Sequence, residues 1–197
     1  MSDKTAITAL NLQPVDPLPE ATQKYFNICE EKLGLVPNVL AAHAFDIDKL
    51  NAFSGLYNNV MLAKSGLSKL EREMIAVAVS SENKCFYCLT AHGAAVRELS
   101  GDPKLGEALV MNYRVADLSP RQKAMLDFAV LLTNAPATIE EHHRQALRDV
   151  GFNDHDIFDI ANTTGFYNMS NRVAAAIDMR PNDEYHASHR LCAPGLL

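Results

Sequence analysis

Two cysteines and a histidine lie close together in the segment SENKCFYCLTAH, residues 81–92. Cys85, Cys88 and His92 have the spacing i, i+3 and i+7, which places them on one face of a helix. Thiols in the first turn of a helix are favoured as thiolates, and a pair with this spacing can close a disulfide. The pattern therefore predicts reversible two-electron thiol chemistry, with His92 accepting the Cys88 proton directly or through water.

A carboxylate that orients the histidine would make it a better base. Glu73 is the candidate, because it lies in LEREMIAVAV beside apolar residues, where a carboxylate is costly unless it is paired. Glu71 is rotated by about 200° from it on a helix and suits a capping box with Ser68. From the sequence, Glu73 is either the partner of His92 or a solvated residue at the helix rim.

Helix signals run along the whole chain. Three pairs fit the capping box that begins a helix, namely Ser68 with Glu71, Ser119 with Gln122, and Thr138 with Glu141. No alternating strand pattern or hairpin turn is present. We predict an all-α helical bundle with helices near 19–33, 37–43, 46–64, 68–81, 84–100, 103–112, 119–134, 138–150 and 154–177.

The sequence contains a weak internal repeat. LSKLEREMIAVAV at 67–79 aligns with LSPRQKAMLDFAV at 118–130, an offset of 51 residues. The same offset places His92 on His143 but places the cysteines and Glu73 on residues without a thiol or carboxylate. The likeness is either a duplicated helical hairpin or a chance match between two capped amphipathic helices. In a true duplication only the first copy could perform thiol chemistry, and the role of His143 stays open.

Charge and hydropathy exclude several classes of partner. The 197 residues carry a formal net charge of −6 without a Lys/Arg cluster, which argues against nucleic-acid binding. No apolar run has membrane-spanning length, and the N-terminus lacks the apolar region of a signal peptide. We expect one cytoplasmic domain over 1–197, with its core at about 20–180 and a C-terminal arm at 184–197. In the cytosol a close cysteine pair is more often catalytic or metal-binding than structural.

Zinc and a packed, inert pair are the alternatives for the two cysteines. Zinc needs four ligands, but there is no second CxxC, and the adjacent His142 and His143 point about 100° apart on a helix. We therefore predict no metal and no cofactor. Cys29 is expected to be a small buried apolar residue, and no role is predicted for Cys192.

A glutamate followed after eleven residues by C-x-x-C-x-x-x-H resembles the signature of the AhpD-like family, also called the carboxymuconolactone decarboxylase superfamily. Its redox branch contains alkylhydroperoxidases. The segments LSKLEREMIAVAVS and GFNDHDIFDIANTTGFYNMSNR resemble the longer, peroxidase-related members. The likeness covers roughly residues 20–180.

The resemblance implies an all-helical homo-oligomer, of dimer, trimer or hexamer type, that reduces organic hydroperoxides and is regenerated by an unknown dithiol or protein reductant. By the same resemblance Cys88 is the peroxidatic cysteine, Cys85 the resolving one, His92 the base and Glu73 its orienting partner. The prototype has a second histidine between its cysteines, where this chain has Tyr87. Tyrosine is a weaker base at neutral pH, so Tyr87 is only a candidate relay.

Two further functions stay open. The decarboxylase branch of the same fold acts on a lactone acid, and its members generally lack the cysteine pair. A non-enzymatic oligomer could instead sense oxidants by closing the disulfide. Sustained peroxide loss with a dithiol reductant would indicate an enzyme, whereas consumption of a single equivalent would indicate a sensor.

Overall fold

The computed structural model describes residues 6–190, and that part of the chain contains ten α-helices and no strand. The all-α prediction is confirmed. The α-helices are α1 (Glu20–Leu33), α2 (Asn38–His43), α3 (Ile47–Tyr57), α4 (Lys69–Glu82), α5 (Phe86–Ser100), α6 (Pro103–Asn112), α7 (Pro120–Asn134), α8 (Glu141–Asp149), α9 (Asp154–Ala176) and α10 (Glu184–Ala187). Within residues 6–190, no helix combines the length and apolarity needed to cross a membrane.

Helix α4 lies at the centre of the bundle. Every residue from 71 to 81 is buried, and the helix packs against α5, α6, α7 and α9. Its continuous apolar run, residues 74–79, supplies the centre of the main hydrophobic cluster. An apolar helix surface of this kind is stable only when neighbours cover it on all sides. A carboxylate on α4, such as that of Glu73, is therefore held inside the protein.

Capping explains where two of the central helices begin. Ser68 at the start of α4 and Ser119 at the start of α7 form the predicted capping boxes with Glu71 and Gln122. The predicted box at Thr138 is wrong. That residue lies in a 3₁₀ turn, Pro136–Thr138, and its hydroxyl donates to the Ala135 carbonyl at 2.8 Å.

Helix α8 consequently begins later than predicted. The backbone N–H of Glu140 donates to Nδ1 of His143 at 3.1 Å, so this histidine serves the start of α8. Helix α7 begins 51 residues after α4, but α8 begins 55 residues after α5, because the second connection is longer. The repeat offset therefore does not extend into the second helix. When the starts of α5 and α8 are aligned, His92 corresponds to the buried Leu147. The predicted match of His92 to His143 is therefore wrong.

The predicted single helix at 46–64 is instead α3 followed by a π-helix, Asn58–Leu62. The buried guanidinium of Arg72 donates to the carbonyls of Val60 at 3.3 Å and Ala63 at 2.9 Å. This side chain from α4 thus satisfies carbonyls around the end of the π-helix, which would otherwise lack helical partners.

The C-terminal segment packs on its own chain over the residues that the structure describes. Arg97 of α5 is buried, and its guanidinium donates to the carbonyls of Ser188 and Tyr185, both at 2.9 Å. These bonds fix the short helix α10, which the sequence did not predict, against α5. The rest of the predicted arm, including Cys192, lies outside the described residues.

Candidate active site

The cysteine pair lies at the start of α5. Cys85 is the N-cap residue, with an extended backbone at φ −80° and ψ 102°, and Cys88 lies in the first turn. The N–H of Cys85 donates to the Ser80 carbonyl, and its own carbonyl accepts from Leu89, both at 3.0 Å. The side chains are 2% and 1% exposed, and both are free thiols. Cys85 therefore precedes the helix that the sequence placed it in.

The thiols of Cys85 and Cys88 interact directly. This interaction is the main reason that the pKa of Cys85 is lowered to about 7; the Cys88 backbone N–H and His92 also lower it, and burial opposes them. The same interaction with Cys85, together with burial, raises the pKa of Cys88. Once the pair loses its first proton, it holds one thiolate and one thiol, and the thiolate lies preferentially on Cys85.

Glu73 and His92 form a buried pair beside the cysteines. Nδ1 of His92 lies 2.7 Å from Oε2 of Glu73, with side-chain exposures of 14% and 12%. This contact assigns the proton to Nδ1, which donates to the carboxylate and leaves Nε2 as an acceptor in the neutral ring. Of the two alternatives for Glu73, the structure shows the paired residue and not the solvated one.

Tyr167 of α9 also contacts His92. Its hydroxyl oxygen lies 3.4 Å from Nδ1 of His92, and the two rings meet edge to face with centroids 4.8 Å apart. The side chain is 1% exposed. The sequence gives no sign of this contact, because an aromatic residue at helical spacing looks like a core residue and its polar partner lies 75 residues away.

Tyr87, the candidate relay, has a different partner. Its hydroxyl accepts a hydrogen bond from the backbone N–H of Val39 on α2 at 3.1 Å, and burial raises the pKa of Tyr87 well above its ordinary value. Within residues 6–190, the tyrosine that contacts His92 is Tyr167. The geometry therefore gives Tyr87 a role in joining α5 to α2.

A cleft of about 480 Å³ opens beside Cys85. Cys85 lines it and Cys88 does not. The apolar part of the lining comes from Phe86, Tyr87, Ala174, Ala175, Met179 and Pro181, and the polar part from Lys84, Asp178, Arg180, Asp183 and His186. The lining is therefore about half polar, and the volume of the cleft lies within the range of clefts that bind small organic molecules.

The remaining predicted residues lie elsewhere. Cys29 is buried on α1 in a separate cluster with Phe26, Leu40 and Leu50, as expected, and burial raises its pKa. His142 and His143 lie at the start of α8, away from α5. Across the described range, 6–190, no three His, Cys, Asp or Glu side chains are grouped as a metal ion would require.

Comparison with known proteins identifies the family of this chain. The sequence profile of the Carboxymuconolactone decarboxylase family matches residues 48–104, which include the paired Glu73 and His92 and both cysteines between them. No functionally curated protein matches the chain.

Solved structures match over nearly the full length. An uncharacterized peroxidase-related protein from Silicibacter sp. TM1040 is 66% identical, with a TM-score of 0.94, over 96% of this chain and 100% of that one. An AhpD-core, peroxidase-related protein from Ralstonia eutropha JMP134 is 40% identical, with a TM-score of 0.92, over 95% and 99%. The debrominase Bmp8, at 22% identity and a TM-score of 0.74 over 94% and 96%, shares the fold. The chain therefore belongs to the AhpD-like, peroxidase-related branch of the carboxymuconolactone decarboxylase superfamily.

Proposed function

We propose that this protein is a thiol-dependent peroxidase that reduces organic hydroperoxides through a disulfide between Cys85 and Cys88. The observation that carries the proposal is the buried Glu73–His92 pair beside two buried free thiols, and the lowering of the Cys85 pKa to about 7 supports it. A reactive thiolate, a neighbouring base and a carboxylate that orients the base are the parts that nucleophilic catalysis requires.

In the first step the pair loses one proton to Nε2 of His92, and the carboxylate of Glu73 stabilises the resulting imidazolium. The remaining proton is shared by the sulfurs, and when it lies on Cys85 the thiolate is on Cys88. This thiolate attacks the terminal oxygen of the hydroperoxide, so that an S–O bond forms and the O–O bond breaks. The departing alkoxide takes the proton of Cys85 and leaves as an alcohol.

In the second step the Cys85 thiolate attacks the sulfenic sulfur of Cys88. The S–S bond forms, and hydroxide leaves as water with the proton that His92 has held. One hydroperoxide and two thiols have then become one alcohol, one water molecule and one disulfide. An external dithiol restores both thiols by exchange and is itself oxidised to a disulfide.

The assignment of Cys88 as the attacking residue and Cys85 as the resolving one comes from the family resemblance, and it requires the less favoured position of the shared proton. The lower pKa belongs to Cys85, so the reactive form with the thiolate on Cys88 is the minor tautomer of the pair. In that tautomer, Cys85 carries the proton that the alkoxide needs. Cys85 also lines the cleft, which gives a dithiol reductant access to its sulfur after the disulfide has formed.

The apolar part of the cleft lining favours an organic hydroperoxide over hydrogen peroxide, because an organic group gains free energy when its apolar surface leaves water. Peroxide consumption should therefore be measured with cumene hydroperoxide and with hydrogen peroxide, each with excess dithiothreitol. Repeated turnover with a preference for the organic substrate supports the proposal. Consumption of one equivalent would indicate an oxidant sensor, and no consumption would remove the peroxidase assignment.

The proposal includes a homo-oligomer in the cytoplasm, where low-molecular-weight and protein dithiols keep thiols reduced. Sedimentation velocity of the reduced protein measures the subunit number. A monomer at micromolar concentration would contradict this part of the proposal and leave the thiol chemistry open to the tests above.

A further inference from the structure

Phe86 is an exposed aromatic residue in the cleft beside the cysteines. It is the first residue of α5 and directly follows Cys85, with which it lines the cleft. Phe86 is 62% exposed, whereas Tyr87 and Met179, which line the same cleft, are each 4% exposed. Single exposed apolar side chains are common on protein surfaces, so exposure alone does not indicate a function. What distinguishes this ring is its position next to the sulfur that the cleft reaches.

A second ring lies beside Phe86. His186 of α10 also lines the cleft, and the centroids of the two rings are 5.8 Å apart. Helix α10 is fastened to α5 by the guanidinium of Arg97, which donates to the carbonyls of Tyr185 and Ser188, both at 2.9 Å. One ring belongs to α5 and the other is held against it, so the aromatic side of the cleft is part of the folded structure.

The charged side chains of the cleft favour an uncharged ligand. Lys84 and Arg180 are cations, and Asp178 and Asp183 are anions. Nη2 of Arg180 lies 3.6 Å from Oδ2 of Asp178, so these two charges are directed at each other. The four side chains together contribute no net charge that would attract an ionic ligand. A neutral molecule with an apolar group therefore fits this lining best.

The proposed cycle requires the organic part of the hydroperoxide to lie in this cleft. In that cycle the departing alkoxide takes the proton of Cys85, so its organic group lies beside that sulfur. Cys85 lines the cleft and Cys88 does not. The terminal peroxide oxygen is therefore directed inwards to Cys88, and the organic group stays in the cleft, on the side where Phe86 lies.

We propose that Phe86 determines the substrate specificity of this site, because its ring packs against an uncharged aromatic group of the hydroperoxide. Aromatic rings that meet offset or edge to face gain free energy beyond that of the apolar area they bury. The preferred substrates are therefore neutral arylalkyl hydroperoxides. The effect on peroxide reduction rests on the proposed function, but the binding of an aromatic group in the cleft does not.

The first test compares three peroxides, namely cumene hydroperoxide, tert-butyl hydroperoxide and hydrogen peroxide, with excess dithiothreitol. In Phe86→Ala, kcat/KM for cumene hydroperoxide should fall about ten-fold, whereas the value for hydrogen peroxide should stay near that of the wild type. Phe86→Leu keeps an apolar side chain without a ring, so it should lose activity with cumene hydroperoxide and retain it with tert-butyl hydroperoxide. An equal loss for all three peroxides, or no loss for cumene hydroperoxide, would overturn the inference.

The matched control is Phe158→Ala. Phe158 on α9 is 68% exposed, much like Phe86, but it does not line the cleft. This variant also removes an exposed ring, so its kcat/KM values should equal those of the wild type for all three peroxides. A selective loss with cumene hydroperoxide in Phe158→Ala as large as that in Phe86→Ala would contradict a specific role for the ring in the cleft.

A second measurement uses no peroxide. The reduced protein is treated with N-phenylmaleimide or N-ethylmaleimide, adducts on Cys85 are counted by peptide mass analysis, and the two rates are divided by those for free cysteine. The wild type and Phe158→Ala should favour the phenyl reagent, and Phe86→Ala should not. The same ratio in Phe86→Ala and the wild type would overturn the inference. A protein that reduces no peroxide loses the proposed function but can still show this preference, so the two proposals fail separately.

Discussion

Nδ1 of His92 lies 2.7 Å from Oε2 of Glu73 inside the bundle, and this contact joins the central helix α4 to helix α5, at whose start both cysteines lie. Two partly desolvated groups that meet at this distance form a strong charge-assisted bond when the imidazole is protonated. The contact holds the ring in a single orientation, and in the proposed cycle it favours proton transfer from the thiols to Nε2.

Replacement of this carboxylate by an amide, Glu73→Gln, should slow peroxide reduction about ten-fold or more, because the imidazolium loses its charged partner. The effect should be smaller than that of His92→Ala, for which we expect about 10²–10⁴-fold. Steady-state rates at saturating dithiol measure both variants.

The neighbouring Glu71 offers a matched control. It accepts from the Ser68 backbone at 2.7 Å and from Arg121 at 2.9 Å. Glu71→Gln should therefore affect mainly the thermal stability, by about 1 kcal/mol, and leave the rate near the wild-type value. A rate loss in Glu71→Gln as large as that in Glu73→Gln would argue against a specific role for the Glu73–His92 pair.

The cysteine variants separate the two thiol roles. Cys88→Ser should abolish turnover, whereas Cys85→Ser should leave one thiol that is oxidised once and does not cycle. Cys88→Ser should also raise the pKa of Cys85 from about 7, because the Cys88 thiol is the main cause of its depression. Cys29→Ser alters a thiol in a separate cluster and should keep full turnover. Normal activity of Cys88→Ser would show that the assigned roles are wrong.

Peroxide reactivity should rise with pH around neutrality. The pair is a neutral dithiol at low pH, and it holds one thiolate once the pH exceeds the pKa of Cys85, which is about 7. The rate of the first oxidation should therefore increase with a midpoint at about pH 7. Rapid-mixing kinetics under single-turnover conditions measure it. A midpoint at about 8.5, the value of an ordinary thiol, would contradict the lowered pKa.

Replacement of the two buried tyrosines should affect different properties, the rate for Tyr167 and the stability for Tyr87. Tyr167→Phe removes a hydroxyl 3.4 Å from Nδ1 of His92, and we expect a several-fold loss of rate with little change in stability. Tyr87→Phe removes the acceptor of the Val39 N–H, which should cost about 1–3 kcal/mol of unfolding free energy with a smaller effect on rate. Thermal unfolding and turnover, measured together, test this. The reverse pattern would restore Tyr87 as the relay.

Local signals explain why most helices could be predicted. The capping boxes at Ser68 and Ser119 lie within four residues of sequence, so the starts of α4 and α7 could be read directly. The π-helix after Tyr57 could not, because it accepts hydrogen bonds from Arg72, a residue of the next helix. Thr138 failed as a cap because its hydroxyl closes a turn within the preceding loop.

The residues of the candidate site also differ in whether the sequence reveals them. Glu73, Cys85, Cys88 and His92 could be named from one short stretch, because their spacing follows from consecutive helices. Tyr167 comes from α9, which is remote in sequence from α5, and it resembles an ordinary buried residue of a helix. Only the packing of α9 against α4 and α5 reveals its contact with His92.

The most direct test of the account is mass analysis of the fully reduced protein after one equivalent of cumene hydroperoxide. We predict the loss of two hydrogens per chain and a proteolytic peptide that contains an intact disulfide between Cys85 and Cys88. Treatment with dithiothreitol should restore the original mass. Unchanged cysteines, or oxidation confined to other residues while Cys85 and Cys88 remain free thiols, would contradict the proposed peroxidase cycle.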